Sequence, residues 1–274
     1  MSIVNPDWLA ERIGVGAVRV LDVRWYLTDH ELGRHEYAEG HIPGAVFMDL
    51  EEDLSDLSIE RAGRHPLPEP TALKARFERV GIGTDLPVVT YDHGPSSIAA
   101  RAWWLLRKLG HPDVHVLDGG IEAWKDAGHP LSDEVPDYPV GTFASDVTTW
   151  EIADLPEVAD RGDTVLLDAR APERFRGEVE PADPIAGHIP GAVNLPTTDL
   201  VGSDQRLLPP DELRARFAET GAGPDEGAIA SCGSGVTACH LVLAASVAGL
   251  PEPRLYPGSY SQWVREGMPV ETGD

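Results

Sequence analysis

The chain repeats itself at a distance that no stacked-repeat protein uses. VRVLDVRW followed by EYAEGHIPGAVFMDL near the start returns later as TVLLDARA followed by IAGHIPGAVNLP. LPVVTYDHGPSSIAARAWWLL likewise matches GAIASCGSGVTACHLVLAA, and LDGGIEAW matches LYPGSYSQW. Asp22 thereby corresponds to Asp168, His41 to His188, Asp92 to Cys232 and Trp124 to Trp263, at separations of 139 to 147 residues. Solenoid repeats recur every ~20–50 residues, so a spacing this long is the duplication of a whole domain. The length of 274 residues suits two domains, each of about 100–150 residues. The expected partition is a first domain over 1–130, a linker over 131–147 and a second domain over 148–274. The linker rests on the stretch HPLSDEVPDYPVGTFASD, rich in proline and acid and poor in periodic apolar residues.

Within each copy, short aliphatic runs alternate with helical patterns. Strands are expected at Val18–Val23, Leu86–Tyr91, Thr164–Leu167 and Ala228–Ala230. Helices are expected at Ile98–Leu109 and Val236–Ala248, each ending near a glycine with proline two residues on, and at Thr71–Val80 and Asp211–Thr220, each after a proline. This alternation implies an α/β fold, with one parallel sheet flanked by helices in each half.

Composition narrows the partners. The formal net charge of −24 repels nucleic acid and anionic lipid. No apolar run approaches the ~20 residues of a membrane span, and the start MSIVNPDWLAERIG has neither a basic region nor an apolar stretch. Two cysteines cannot build a disulfide framework, so a cytoplasmic, reducing location is expected. An anionic substrate would have to rely on local positive features.

One loop carries chemistry. Ser231-Cys232-Gly233-Ser234-Gly235-Val236-Thr237-Ala238 joins a buried strand to a helix, at the carboxyl end of a strand where open α/β sheets bind ligands. Gly233 and Gly235 allow positive φ, so that successive N–H groups, including those near Val236 and Thr237, can form an anion nest. The following helix terminus adds positive potential. Both favour a thiolate at Cys232 and cradle an anion beside it. Cys239, seven residues on among aliphatic neighbours, reads as core. Its spacing from Cys232 is poor for zinc and no third cysteine exists, so neither metal nor cofactor is expected.

These residues resemble a known family. The duplicated halves, the two GHIPGA segments, the LDGGIEAW ending and the CGSGVT loop resemble the tandem-domain rhodanese sulfurtransferases, and CGSGVT is most similar to the 3-mercaptopyruvate branch. The resemblance implies a catalytically inactive first half, where Asp92 stands in place of a nucleophile. It also implies transfer of a sulfane sulfur from 3-mercaptopyruvate, through a persulfide on Cys232, to a thiol acceptor such as thioredoxin or to cyanide. The alternative within the family is a thiosulfate sulfurtransferase working by the same persulfide.

The resemblance also assigns supporting roles. Arg174 falls where the family places an arginine that clamps the donor's carboxylate, and a guanidinium fork suits that group. A second arginine is expected nine residues on, but Asp183 stands there, leaving Arg170 or Arg176 as candidates to compensate. His65 and Glu51 would complete a proton relay with Ser234. His41, His188 and the Asp22–Arg24 and Asp168–Arg170 pairs occur in both halves, which points to structure rather than catalysis. Two other readings compete. A cysteine phosphatase would need an arginine about six residues after the cysteine, where this chain has Ala238. A non-enzymatic binding module would have lost the cysteine that the second half keeps.

Overall fold

The computed structural model describes residues 2–222 and 227–273. They form two compact units. The first comprises residues up to Ser55, Pro68–Trp150 and Ser203–Arg206; the second comprises Asp56–Leu67, Glu151–Gly202 and the rest from Leu207. The partition expected from sequence is therefore too simple in two places. Residues 56–67 cluster with the second unit although they precede it in the chain, and the 131–147 segment belongs to the first unit. Tyr138 there donates its hydroxyl to the Gly44 carbonyl at 2.9 Å, and the Trp150 indole donates to Pro68 O at 2.8 Å.

The first unit runs β1 (Ile3–Val4), α1 (Pro6–Ile13), β2 (Arg19–Asp22), α2 (Leu32–Glu39), β3 (Ala45–Phe47), α3 (Pro70–Arg79), β4 (Val88–Tyr91), α4 (Ala99–Lys108), β5 (Val114–Leu117) and α5 (Gly120–Asp126). Its sheet has the order β1-β5-β4-β2-β3 with every pairing parallel. Strands β4 and β5 are buried along their whole length, which is why they read as continuous runs rather than alternating ones. Leu9, Val20, Val89, Leu117 and Trp124 pack in one core.

The second unit repeats this plan. It runs α6 (Leu155–Ala159), β6 (Leu166–Asp168), α7 (Pro172–Phe175), β7 (Val193–Asn194), a 3₁₀ turn (Thr197–Leu200), α8 (Pro210–Glu219), β8 (Ile229–Ser231), α9 (Ala238–Ala248), β9 (Arg254–Leu255) and α10 (Ser259–Arg265). The parallel order β7-β6-β8-β9 matches β3-β2-β4-β5 of the first. Several helix starts differ from expectation. Pro70 and Pro210 occupy the first helical position, where a missing N–H costs nothing, instead of preceding it. Helix α9 begins at Ala238, two residues after Val236, because the chain first completes the glycine turn. Among the described residues no helix is long and apolar enough to cross a membrane.

Each unit contains the same buried ion pair. Asp22, at the end of β2, accepts from the Arg24 backbone at 3.0 Å and from its guanidinium at 2.7–3.1 Å. Asp168, at the end of β6, does the same with Arg170 over the same range of distances. The far nitrogen of each arginine donates to a carbonyl, Gly40 O at 3.0 Å or Gly187 O at 2.9 Å, and so ties the strand to the turn beginning at His41 or His188. Those histidines complete the turn. His41 Nδ1 lies 2.8 Å from Tyr37 O and His188 Nδ1 2.8 Å from Phe175 O, with each ring stacked on the aromatic it reaches. Removing one member of such a pair strands a buried charge. Asp168→Ala should therefore cost about 3–5 kcal/mol, and Asp168→Leu combined with Arg170→Met should recover most of that loss in denaturant titrations.

Candidate active site

Strand β8 delivers Cys232 to the carboxyl end of the second sheet, where its side chain is almost fully buried. The loop is pinned on its far side. Cys232 N–H donates to Ser259 Oγ at 3.0 Å, while Tyr260 N–H and Ser261 N–H donate to the carbonyls of Cys232 and Gly233 at 3.0 and 2.9 Å. Ser259 holds φ at +50°, a conformation that a serine adopts only when its surroundings impose it. Gly235 N–H points back and donates to the Cys232 sulfur at 3.1 Å.

The two loop glycines have different reasons. Gly235 has φ of +77°, and a Cβ there would collide with the Pro257 carbonyl. Gly233 is outside the left-handed region, contrary to the expectation that both glycines supply positive φ. Its reason is space: a Cβ would sit 2.7 Å from an Arg64 guanidinium nitrogen and 3.5 Å from one of Arg174. Cys239 is buried, with Sγ 3.5 Å from Gly235 O, as a core residue of α9.

The equivalent loop of the first unit is already filled. The Asp92 carboxylate accepts from the N–H groups of Gly94, Ser96, Ile98 and Ala99 at 2.9–3.1 Å. Four converging donors make an anion nest, and the protein supplies the anion from its own chain. In the second unit Cys232 replaces that carboxylate.

Segment 63–65 lies beside the cysteine loop within the second unit. Arg64 N–H donates to Ser261 Oγ at 3.0 Å, and Arg265 donates to Gly63 O at 3.0 Å. This hold presents two side chains. His65, buried, places Nδ1 2.8 Å from the Ser234 hydroxyl. Arg64 ion-pairs with Asp183, whose side chain is also buried. On the other flank, Arg174 from α7 donates to Glu180 at 2.7 and 3.3 Å and lies 3.8 Å from Asp183. Burial by itself would raise the Glu180 carboxyl. The Arg174 guanidinium and the N–H groups of Ala182 and Asp183 outweigh it and hold that carboxyl below its ordinary value.

The structure thus brings together Cys232, Gly233, Ser234, Gly235, His65 and Arg174. It removes Arg170 from the binding set: its guanidinium is committed to Asp168, to Gly187 O and, at 3.5 Å, to Glu180. Burial disfavours its cation, but Asp168 overcompensates and keeps its pKa above the ordinary value. Arg176 pairs with Glu178 on the exposed surface and does not compensate either. Glu51 belongs to the first unit, where it lies 2.9 Å from His30 Nδ1. Arg64 escaped sequence reasoning. The one available signal was Asp183 itself, an acid where a base was expected, which calls for a basic partner elsewhere in the chain.

A duplicated parallel α/β unit with a cysteine loop between β8 and α9 is the architecture of rhodanese domains. The Rhodanese-like domain family matches the chain twice, over residues 5–127 and 151–266. The chain belongs to this family. A probable 3-mercaptopyruvate sulfurtransferase of Pseudomonas aeruginosa is 48% identical over 280 residues, spanning 100% of this chain and 99% of that protein. The thiosulfate sulfurtransferase of Mus musculus is 35% identical over 280 residues, spanning 98% and 93%. The crystal structure of the Escherichia coli 3-mercaptopyruvate enzyme superposes with a TM-score of 0.84 at 35% identity, covering 95% of this chain and 100% of that one.

Asp92→Ala leaves four buried N–H groups without their anion and should lower stability by about 3–5 kcal/mol in chemical denaturation. Glu180, its carboxyl lowered on folding, stabilises the protein fully above its unfolded value near 4.5 and loses that contribution as pH falls through the lower folded value. The stability difference between the wild type and Glu180→Gln should accordingly be flat above pH about 5 and shrink below it.

Proposed function

We propose that the protein is a sulfurtransferase that takes a sulfane sulfur from 3-mercaptopyruvate onto Cys232 and passes it to a thiol, such as that of thioredoxin, or to cyanide. The observation that carries this reading is the 2.8 Å contact between His65 Nδ1 and the Ser234 hydroxyl, two residues from the cysteine. In the first half-reaction the Cys232 thiolate attacks the donor sulfur. The new S–S bond forms as the donor C–S bond breaks, and the electron pair of the latter leaves on carbon as pyruvate enolate. That carbon needs a proton, and the Ser234 hydroxyl, resupplied through His65, can give it. In the second half-reaction an acceptor thiolate attacks the outer sulfur of the persulfide and regenerates the Cys232 thiolate. Backbone N–H groups of the Gly233–Thr237 turn would stabilise the persulfide anion between the two. Arg174, fixed by Glu180, would hold the donor carboxylate.

Thiosulfate releases sulfite, which leaves with its electron pair on sulfur and needs no proton from the enzyme. A Ser–His pair aimed at the cysteine loop therefore favours the carbon leaving group. Within the second unit the relay joins Ser234 to His65, and Glu51, the acid that the resemblance adds to it, belongs to the first unit, where it also meets His30. A cytoplasmic setting, where thiol acceptors are reduced, belongs to the same proposal.

Mercaptopyruvate treatment should add about 32 Da to Cys232 by mass spectrometry, and Cys232→Ser should abolish the adduct. Ser234→Ala and His65→Gln should each lower turnover with mercaptopyruvate by about 10²-fold while changing any thiosulfate reaction far less. Equal losses with both donors, or faster wild-type turnover on thiosulfate, would overturn the choice of donor.

A further inference from the structure

At the position where a second donor-binding arginine is expected stands Asp183, whose charge is neutralised by an ion pair with Arg64. Resting on the sulfurtransferase reading above, we infer that Asp183 sets the charge of the donor this site accepts, admitting a monoanion and disfavouring a dianion, while Arg64 serves as the second anion-binding arginine.

Three observations support this. First, both arginines reach the cysteine loop: the position a Gly233 Cβ would occupy is 2.7 Å from Arg64 Nη2 and 3.5 Å from Arg174 Nη2. Second, each arginine carries its own carboxylate. Arg174 is held by Glu180 at 2.7 Å and Arg64 by Asp183, and both carboxylate side chains are only 3% exposed. The ring of Arg64, Arg174, Glu180 and Asp183 is formally neutral before any donor arrives. Third, the Arg64–Asp183 pair is incompletely satisfied. Arg64 Nε and Asp183 Oδ2 are buried and make no hydrogen bond among the described residues, although Oδ2 lies 3.8 Å from Arg174. A buried charge pair with unused donor and acceptor positions is costly to keep for stability alone, and a donor carboxylate could use the vacant Nε–H.

The selectivity follows from Coulomb's law. Repulsion from Asp183 scales with donor charge, so thiosulfate, with two negative charges, feels about twice what the mercaptopyruvate carboxylate feels at the same distance. A site with two arginines and no facing acid would reward the second charge instead. Arg64 and Asp183 lie 119 residues apart in sequence but belong to the same compact unit, so their opposite charges set the local field together.

The test uses the full-length protein and two unreactive anions, pyruvate for one charge and sulfate for two. Each is titrated for protection of Cys232 from iodoacetamide, alongside kcat/KM for mercaptopyruvate and thiosulfate. Asp183→Asn should shift the sulfate-to-pyruvate affinity ratio, and the thiosulfate-to-mercaptopyruvate kcat/KM ratio, toward the dianion by about tenfold. Arg64→Gln should weaken both anions and shift both ratios about tenfold the other way. The combined variant restores ring neutrality and should return the ratios to near wild type. These opposite signs keep the test decisive even if one single variant does not fold. Ratios that do not move, or that move the same way in both single variants, overturn the inference. Failure of the sulfurtransferase reading shows differently: neither donor then loads a persulfide on the wild type, while the sulfate-to-pyruvate ratio still reports on Asp183.

Discussion

A carboxylate buried at the end of a β-strand has to be neutralised on the spot, and the second unit builds outward from that requirement. Asp168 holds Arg170 at 2.7 Å, and Arg170 reaches Gly187 O and, at 3.5 Å, Glu180. Glu180 in turn orients Arg174, Arg174 lies 3.8 Å from Asp183, and Asp183 pairs with Arg64. The sequence of charges alternates from the sheet to the cysteine loop. Each member is held by the one before it, so the outermost arginines are fixed without help from solvent. Such preorganisation spares a bound anion the cost of ordering two long side chains.

The same inner pair exists in the first unit, where Asp22 and Arg24 repeat the Asp168–Arg170 geometry. What differs is the loop at the end of the central strand. There the Asp92 carboxylate takes four backbone N–H groups, while Cys232 receives one N–H at its sulfur from Gly235. The duplicated scaffold thus differs in what stands at the end of its central strand: in the first copy a carboxylate takes the loop's N–H groups permanently, and in the second a cysteine stands at the corresponding position.

Much of this was legible in the chain because it depends on local pattern. Strands, helices and the cysteine loop are encoded in contiguous runs, and the duplication allows each half to check the other. The repeated Asp-x-Arg motif points to a framework role for Arg170, and a second role as a ligand conflicts with how completely Asp168 and Gly187 O use its guanidinium. Gly233 and Gly235 look alike in sequence but answer to different constraints, one to neighbouring side chains and the other to backbone conformation. Those neighbours are set by the tertiary fold. Arg64 was the least visible of all. It comes from a segment, 56–67, that precedes its unit in the chain, and no periodicity links it to Asp183.

The alternating charges also explain how a chain with a formal net charge of −24 can be suited to an anionic donor. At physiological ionic strength exposed charges beyond about 8 Å are largely screened, so the acidic surface mainly slows encounter, and the field at the sulfur is set by the few groups around it. Those groups balance: two arginines, two carboxylates and backbone N–H dipoles. A basic patch would attract any polyanion, including nucleic acid. A neutral ring with directed donors instead attracts by geometry, and it limits how much negative charge a donor can bring. Selectivity for a small monoanion then needs no strongly cationic site, and the acidic exterior and the anion-accepting interior are compatible in one chain.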